Sequence, residues 1–167
     1  MVLTARLLDA GDATAWRMLR VEAVRDHPLA FLATVEEVLS TPEAELAMRL
    51  ERGQSYGLFQ DGALIGMAAL VQPDFARARH RGEIGGFYVQ PHAHGSGAAN
   101  VLMQALADAA KAKGIWQLEL YVSMKNPRAI RFYERHGFIR QGQMPNAIIG
   151  ADGPEDDWFY TRDLRPA

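Results

Sequence analysis

A strand that leads through a glycine-rich turn into a helix is the feature that most restricts how this chain folds. Residues 81–89 have strand character, the turn at 91–97 contains two glycines, and residues 98–109 repeat small and apolar side chains at helical spacing. In such a turn the first N–H groups of the helix point outward, and the positive end of the helix dipole favours an anion. The stretch therefore predicts an α/β (mixed α+β) domain whose strand–turn–helix unit can hold a phosphate group.

The rest of the chain alternates between the periods of helices and strands. Asp61-Gly62 separates two apolar runs and predicts a tight hairpin turn. No repeat or linker divides the 167 residues, so we expect one domain over residues 1–167. The predicted strands are 5–8, 56–60, 63–71, 81–89, 116–122, 138–143 and 158–164, and the predicted helices are 12–26, 28–39, 40–52, 98–113 and 126–136.

Charge and composition exclude several classes of partner. Eighteen Lys and Arg residues against twenty Asp and Glu give a net charge of -2 without a basic block, so nucleic acid is not the expected partner. The chain has no cysteine, which excludes disulfides, thiolate metal ligands and a cysteine nucleophile. No apolar run approaches the roughly 18 residues of a membrane span, and the residues after Met1 do not form an export signal. We therefore expect no membrane partner and a cytoplasmic location.

The glycines of the turn do not by themselves decide between a phosphate site and an ordinary helix start. The turn lacks the Gly-x-Gly-x-x-Gly of a dinucleotide-binding unit and the Gly-Lys-Ser/Thr of a P-loop. His92 and His94 would face the same side of a strand, but a zinc site needs three or four ligands and the spacing supplies no third. We predict no metal site.

Two motifs give the chain a resemblance to a known family. Residues His94, Gly95, Ser96, Gly97, Ala98 and Ala99 resemble the acetyl-coenzyme A motif Arg/Gln-x-x-Gly-x-Gly/Ala of the GNAT superfamily of N-acetyltransferases, with His94 where Arg or Gln is usual. Downstream, Asn126-Pro127-x-Ala129-x-x-Phe132-Tyr133-Glu134-x-x-Gly137-Phe138 is similar to the second signature of that family. Both motifs lie within residues 80–140 in the expected order, and the likeness is fainter over residues 1–60.

The resemblance implies a GNAT fold and acetyl-CoA as co-substrate. The fold would be a mostly antiparallel, twisted sheet of about seven strands flanked by helices and splayed between the fourth and fifth strands. Gly85 and Gly86 in the fourth strand predict a bulge there, because glycine in a strand interior often marks one. The acyl carrier would thread into that opening and bond to main-chain groups of Phe87 and Val89, while the turn grips its diphosphate mainly through backbone N–H groups.

The resemblance also implies a reaction and roles for individual residues. The acetyl group would move to a primary amine by direct attack in a ternary complex, with Glu83 as the base, acting through water, and Tyr133 as the acid that protonates the thiolate. A backbone N–H of Phe87 or Tyr88 would stabilise the oxyanion. Taken without the family, Glu83 is equally a solvated strand residue and Tyr133 a core aromatic. Asn126 is expected to cap its helix and to border the cofactor.

The acceptor and the oligomeric state are left open by the sequence. The amine can belong to a small molecule, a peptide or a protein, and family members often form homodimers. Two alternatives are a catalytically silent acyl-CoA-binding module and a transferase of a longer acyl group. Residues that we expect near the acceptor are Arg17, Arg20, Glu22, Arg25, His27, the loop 72–79, Asp156 and Asp157.

Overall fold

Seven strands form one sheet in the computed structural model, which describes residues 1–167. Five α-helices lie around the sheet, together with four single-turn 3-10 helices. The strands are β1 Leu3–Leu7, β2 Ser55–Gln60, β3 Ala63–Val71, β4 Arg81–Val89, β5 Gln117–Ser123, β6 Ile139–Gly150 and β7 Gly153–Asp163. The helices are α1 Ala13–Asp26, α2 Val35–Ser40, α3 Glu43–Leu50, α4 Ala98–Ala112 and α5 Pro127–Arg135.

The sheet is open in its middle. Its strand order is β1-β2-β3-β4-β5-β7-β6, and every pair of neighbours is antiparallel except β4 and β5. These two strands run parallel and pair only from Arg81–Glu83 to Gln117–Glu119. Beyond Glu83 they separate, so the predicted mostly antiparallel sheet that splays between its fourth and fifth strands is confirmed.

A bulge in β4 lies beside this opening. Met67 pairs with Tyr88 and Ala69 with Gly85, so two steps along β3 match three steps along β4. Gly86 has a φ of +57°, a left-handed conformation that side chains other than glycine adopt at a cost. A Cβ atom at Gly86 would also lie 2.6 Å from Nη1 of Arg20. The bulge predicted from the glycine pair is therefore present, and it bends β4 where the strands part.

Helices cover both faces of the sheet. The buried side of α4, which includes Leu102 and Leu106, packs in one cluster with Ala68 of β3. The next residue on the other side of that strand, Met67, packs in a second cluster with Leu19 of α1. Because successive strand residues point to opposite faces, α4 and α1 lie on opposite sides of the sheet. None of the helices combines the length and the apolar character needed to cross a lipid bilayer.

The predicted helix at 28–39 is wrong. Residues Pro28–Ala30 form only a 3-10 turn, Phe31 is extended with φ -135° and ψ 137°, and α2 begins afresh after Thr34. Thr34 Oγ1 accepts a hydrogen bond from the Glu37 amide at 3.2 Å, and the Glu37 carboxylate accepts one from the Thr34 amide at 2.7 Å. This capping box starts a new helix at the point where the sequence suggested a continuous one.

The boundaries of the third helix and of the last two strands also differ from the prediction. Helix α3 starts at Glu43, because Ser40 ends α2 and Pro42 has an extended ψ of 142°. Strands β6 and β7 continue to a two-residue turn and are much longer than 138–143 and 158–164. Most of β6 is exposed and its register shifts twice, so its residues do not alternate between polar and apolar.

Candidate active site

A cavity of about 310 Å³ lies between β4, the glycine-rich turn and α5. It brings together residues from both sequence motifs, which are about 30 positions apart in the chain. The predicted cofactor-binding residues that line it are Phe87, Tyr88, Val89, His94, Gly95, Gly97, Ala98, Ala99 and Asn126, and the predicted acid Tyr133 lines it as well. Ser96 does not line it. Its hydroxyl donates to the Ala93 carbonyl at 2.7 Å and accepts from the Ala98 amide at 3.3 Å, so it holds the turn in shape.

The turn presents unpaired backbone donors. The amide groups of Gly95, Gly97 and Ala99 donate no hydrogen bond within the chain, whereas those of Asn100 and Val101 both reach the Gly97 carbonyl. Gly97 precedes α4 with a φ of +88° and has no atom within 4 Å of the position of a Cβ. Three free N–H groups at the positive end of a helix form a site of the kind that binds phosphate.

His94 contacts the backbone of β4. Its Nε2 lies 2.7 Å from the carbonyl oxygen of Val89, a hydrogen bond that requires the proton on Nε2. The imidazole thus ties the turn to the strand on which the acyl carrier is predicted to lie. His92 is exposed in the 3-10 turn Pro91–Ala93, and no group of three or more His, Asp and Glu side chains in the chain is arranged around a common centre that could hold a metal ion.

Tyr133 lies on α5 within a group of aromatic rings. It is 8% exposed, and its ring centroid lies 6.2 Å from that of Phe87 and 5.7 Å from that of Phe138. Burial raises the pKa of its hydroxyl well above the usual value of 10, so the group stays protonated at neutral pH. The hydroxyl makes no hydrogen bond within the chain and is available as a donor. Asn126 caps α5, with its Oδ1 accepting from the Ala129 amide at 3.1 Å.

Tyr88 contributes its side chain to a polar network that the sequence did not reveal. Its hydroxyl donates to Glu22 Oε1 at 2.8 Å, and Asp26 Oδ2 lies at 3.3 Å. Gln90 donates to the other oxygen of Glu22 at 2.8 Å. The network fastens α1 to β4 between residues more than 60 positions apart, and no local motif signals it. The hydroxyl of Tyr88 is therefore engaged in this network.

A second cavity, of about 470 Å³, begins along β4 where the first one ends. Glu83, Ile84, Gly85 and Gly86 line the second cavity, whereas Phe87, Tyr88 and Val89 line the first. Phe31 contributes to both cavities. The predicted acid and the predicted base consequently lie in two different cavities that meet at the bulge.

Glu83 has a carboxyl group whose charge is disfavoured by its surroundings. The residue lies at the rim and is exposed overall, but burial of its carboxyl raises the pKa, and the nearby charge of Glu119 adds to this rise while Arg81 opposes it. Glu119 itself is 5% exposed. Its burial works against ionisation, but hydrogen bonds from Arg81 and Gln117 outweigh this and lower its pKa. A carboxyl with a raised pKa next to a cavity is a suitable general base.

Only part of the predicted acceptor region lines the second cavity. Arg20 and Asp157 do so, and Asp157 Oδ1 is buried without a hydrogen-bond partner. The others are engaged or lie elsewhere. Arg17 donates to the carbonyls of Leu39 and Thr41, and Glu22 belongs to the Tyr88 network. Asp156 accepts from Gln143 and from the Asn146 amide. Arg25 is exposed, His27 lines the first cavity, and the loop 72–79 lines neither cavity.

The sequence matches a family model over the first cavity and part of the second. The model of the acetyltransferase (GNAT) family covers residues 16–138, a range that includes most of α1, the turn and α5. This chain belongs to the GNAT family. The family predicted from the two motifs is thereby confirmed, and the match extends over residues 16–60, where the resemblance was faint.

Curated relatives of this GNAT chain are acetyltransferases by name. It is 32% identical over 133 residues to a mycothiol acetyltransferase of Beutenbergia cavernae, an alignment that covers 74% of this chain and 40% of the relative. It is 35% identical over 104 residues to an uncharacterized N-acetyltransferase of Mycobacterium bovis, covering 62% and 63%. The chain thus spans about 40% to 63% of the length of the curated relatives that it matches.

Solved structures share the GNAT fold over the whole chain. A GNAT-family acetyltransferase from Streptococcus pneumoniae superposes with a TM-score of 0.85 at 18% identity, covering 98% of this chain and 100% of the other. A putative acetyltransferase from Salmonella typhimurium, solved with its cofactor acetyl-CoA, gives a TM-score of 0.84 at 22% identity, covering 100% and 96%. The seven-stranded mixed sheet described above is the sheet of this family.

Proposed function

We propose that the chain is an N-acetyltransferase that moves the acetyl group of acetyl-CoA to a primary amine by direct attack in a ternary complex. The observation that carries the proposal is the meeting of two cavities at the bulge in β4. One holds unpaired amide donors and a protonated phenol, and the other holds a carboxyl with a raised pKa. Acetyl-CoA and the acceptor amine would approach one another through the gap between β4 and β5.

The first cavity would hold the acyl carrier. Its diphosphate would accept hydrogen bonds from the amide groups of Gly95, Gly97 and Ala99, which are otherwise unpaired. The extended arm of the carrier would follow β4 towards the bulge, bonding to main-chain groups of Phe87 and Val89. The Val89 carbonyl already accepts from His94 but retains a second lone pair for this purpose.

Each catalytic group then has one task in the transfer. Glu83, through a water molecule, takes a proton from the acceptor so that the neutral amine attacks the thioester carbonyl carbon. The new C–N bond forms, and the amide of Phe87 or Tyr88 stabilises the oxyanion. When the C–S bond breaks, the thiolate takes the proton of the Tyr133 hydroxyl. The protonated nitrogen of the intermediate then gives its extra proton to the tyrosinate through water, and Glu83 releases its proton to solvent.

Release of coenzyme A with a panel of amines tests the proposal. Amino acids, polyamines, aminoglycosides and peptides with free N-termini are supplied with acetyl-CoA, and the free thiol is measured. We expect turnover with at least one class, and roughly a hundredfold loss of kcat in Glu83→Gln and in Tyr133→Phe, as is typical when a general acid or base is removed. Tyr56→Phe is the matched control, because Tyr56 is a buried core residue that lines neither cavity.

Two outcomes would contradict the proposal in different ways. Binding of acetyl-CoA without turnover of any amine would identify the chain as an acyl-CoA-binding module. Full activity in both variants would leave the family reaction in place but remove Glu83 and Tyr133 as its acid and base. The same assay with a longer acyl-CoA in place of acetyl-CoA tests whether the chain transfers a longer acyl group instead of acetyl.

A further inference from the structure

The second cavity contains a guanidinium group that has no anionic partner in the chain. Arg20 reaches it from α1, with its guanidinium carbon 4.5 Å from the centroid of Phe31 and 5.7 Å from that of Trp16. It takes part in no hydrogen bond or ion pair within the chain, and burial lowers its pKa to about 10. Arg20 is therefore still charged at neutral pH and has donors that remain unused.

Other arginines of the chain show the pairing that Arg20 lacks. Arg17, one turn earlier on α1, donates to two backbone carbonyls. Arg6 pairs with Asp12, and Arg81 pairs with Glu119. A partly buried cation normally needs such compensation, because removing it from water is costly. Arg20 instead has stacking contacts that fix its position while its N–H groups stay free to bind an anion.

Two carboxyl groups in the same cavity are also uncompensated. Glu83 and Asp157 form no ion pair with Arg20 or with any other residue. Asp157 Oδ1 is buried without a donor, so the cavity contains an acceptor that lacks a hydrogen bond. A ligand that supplies a cation or N–H group to the carboxyl groups and an anion to Arg20 would satisfy all three.

The remaining wall of the cavity is mostly apolar. Leu29, Leu32, Met144 and Ile148 line it beside the rings of Phe31 and Tyr121. A volume of about 470 Å³ is that of a small-molecule site. The occupant should therefore combine an amine, an anionic group and an apolar side chain in one compact molecule.

We propose that the acceptor of this chain is a free amino acid with an apolar side chain, whose carboxylate is bound by Arg20 while its amine lies against Glu83 and Asp157. The proposal rests on the proposed function, because it names the substrate class of the same site. A planar guanidinium binds a carboxylate through two parallel N–H···O bonds, which suits it to this role. Polyamines lack the anion, and the N-terminus of a peptide has its carboxylate converted to an amide.

The test compares each amino acid with its own carboxamide. L-Leucine, L-methionine and L-phenylalanine, and the amide of each, are titrated calorimetrically into the protein saturated with coenzyme A, so that no turnover is needed. We expect at least one acid to bind at least tenfold more tightly than its amide. In Arg20→Met the preference should fall to within twofold, whereas Arg20→Lys, which keeps the charge but not the planar fork, should retain part of it.

Arg25→Met is the matched control, because it removes the same charge from an exposed position of the same helix. It should keep the preference of the unaltered protein, and circular dichroism establishes that each variant is folded. The proposal is overturned if no acid binds, if acids and amides bind equally, or if the preference survives in Arg20→Met. Because acetyl-CoA binding and turnover of other amines are measured separately, those results would leave the proposed function standing.

Discussion

Glu83 links the electrostatics of one residue to the pH dependence of the proposed reaction. A base acts in its deprotonated form, so activity should fall as the pH drops through the pKa of Glu83. Since burial raises that pKa, the acid limb of kcat/KM should lie above the value of 4.5 that is usual for a glutamate. The measurement is kcat/KM for the best acceptor between pH 4.5 and 9, with the protein pre-tested for stability over that range.

In Glu83→Gln the same limb should disappear together with most of the rate. If the acid limb persists unchanged in this variant, another group is responsible for it. Asp157 is the first alternative, because burial and the charge of Asp156 raise its pKa as well. The raised pKa also has a consequence for stability. Ionisation of Glu83 costs more in the folded than in the unfolded chain, so above the unfolded pKa the shift lowers stability, and Glu83→Gln should be no less stable at pH 7.

Sequence reasoning at the residue scale succeeded where the signal is local. The Asn126 cap and the conformation of Gly86 depend on their immediate neighbours in the chain, and both follow from the types of residue present. The hydroxyl contact of Tyr88 with Glu22 joins residues 66 positions apart, and the unpaired state of Arg20 depends on what surrounds it in space. Neither fact is encoded in a spacing that a single sequence reveals.

At the scale of elements, the turn before α4 gives a direct test of phosphate binding. Alanine at Gly97 would have to adopt a φ of +88°, which costs roughly 1–2 kcal/mol for a residue with a Cβ atom. If the turn relaxes instead, its free amide groups no longer converge. We therefore expect Gly97→Ala to lose about 1 kcal/mol of stability and about tenfold in affinity for acetyl-CoA, measured by thermal denaturation and calorimetry.

Gly53→Ala provides the matched control for this variant. Gly53 follows α3 with a φ of +70°, has no atom within 4 Å of a Cβ position, and lines neither cavity. It should show a similar loss of stability with unchanged affinity. Equal affinity in the two variants would mean that the turn does not bind the carrier.

Element boundaries were predicted well where a single strong signal marks them. The Asp61-Gly62 turn and the glycine after α4 are of this kind, and the structure has the hairpin and the helix end at those places. Residues 28–39 carry competing signals, because an apolar spacing typical of a helix continues across a Thr–Glu capping box. In the structure the capping box sets where the helix begins. The long β6–β7 hairpin is stabilised by strand pairing along an exposed edge of the sheet. Polar and apolar residues therefore do not alternate along β6, and the sequence does not show its full length.

For the whole molecule, the prediction that residues 1–167 form one domain remains to be tested. Two core clusters lie on opposite faces of the same sheet, and a third packs α3 against Phe59 of β2, so we expect them to unfold together. Calorimetry should show one transition with equal calorimetric and van't Hoff enthalpies. Two separate transitions would contradict this. Scans at several protein concentrations also test the homodimer, which would raise the Tm with concentration.

The Arg81–Glu119 ion pair stands at the vertex of the fork made by β4 and β5. Both Arg81 nitrogens that reach the carboxylate do so across the last rungs that the strands share, at 2.5 and 3.0 Å. The ion pair therefore joins the two strands just before they separate, and residues of β4 beyond it line both cavities. We therefore expect that loss of the Arg81–Glu119 pair would shift the walls of both cavities. Binding of acetyl-CoA and binding of the amine acceptor would then change together.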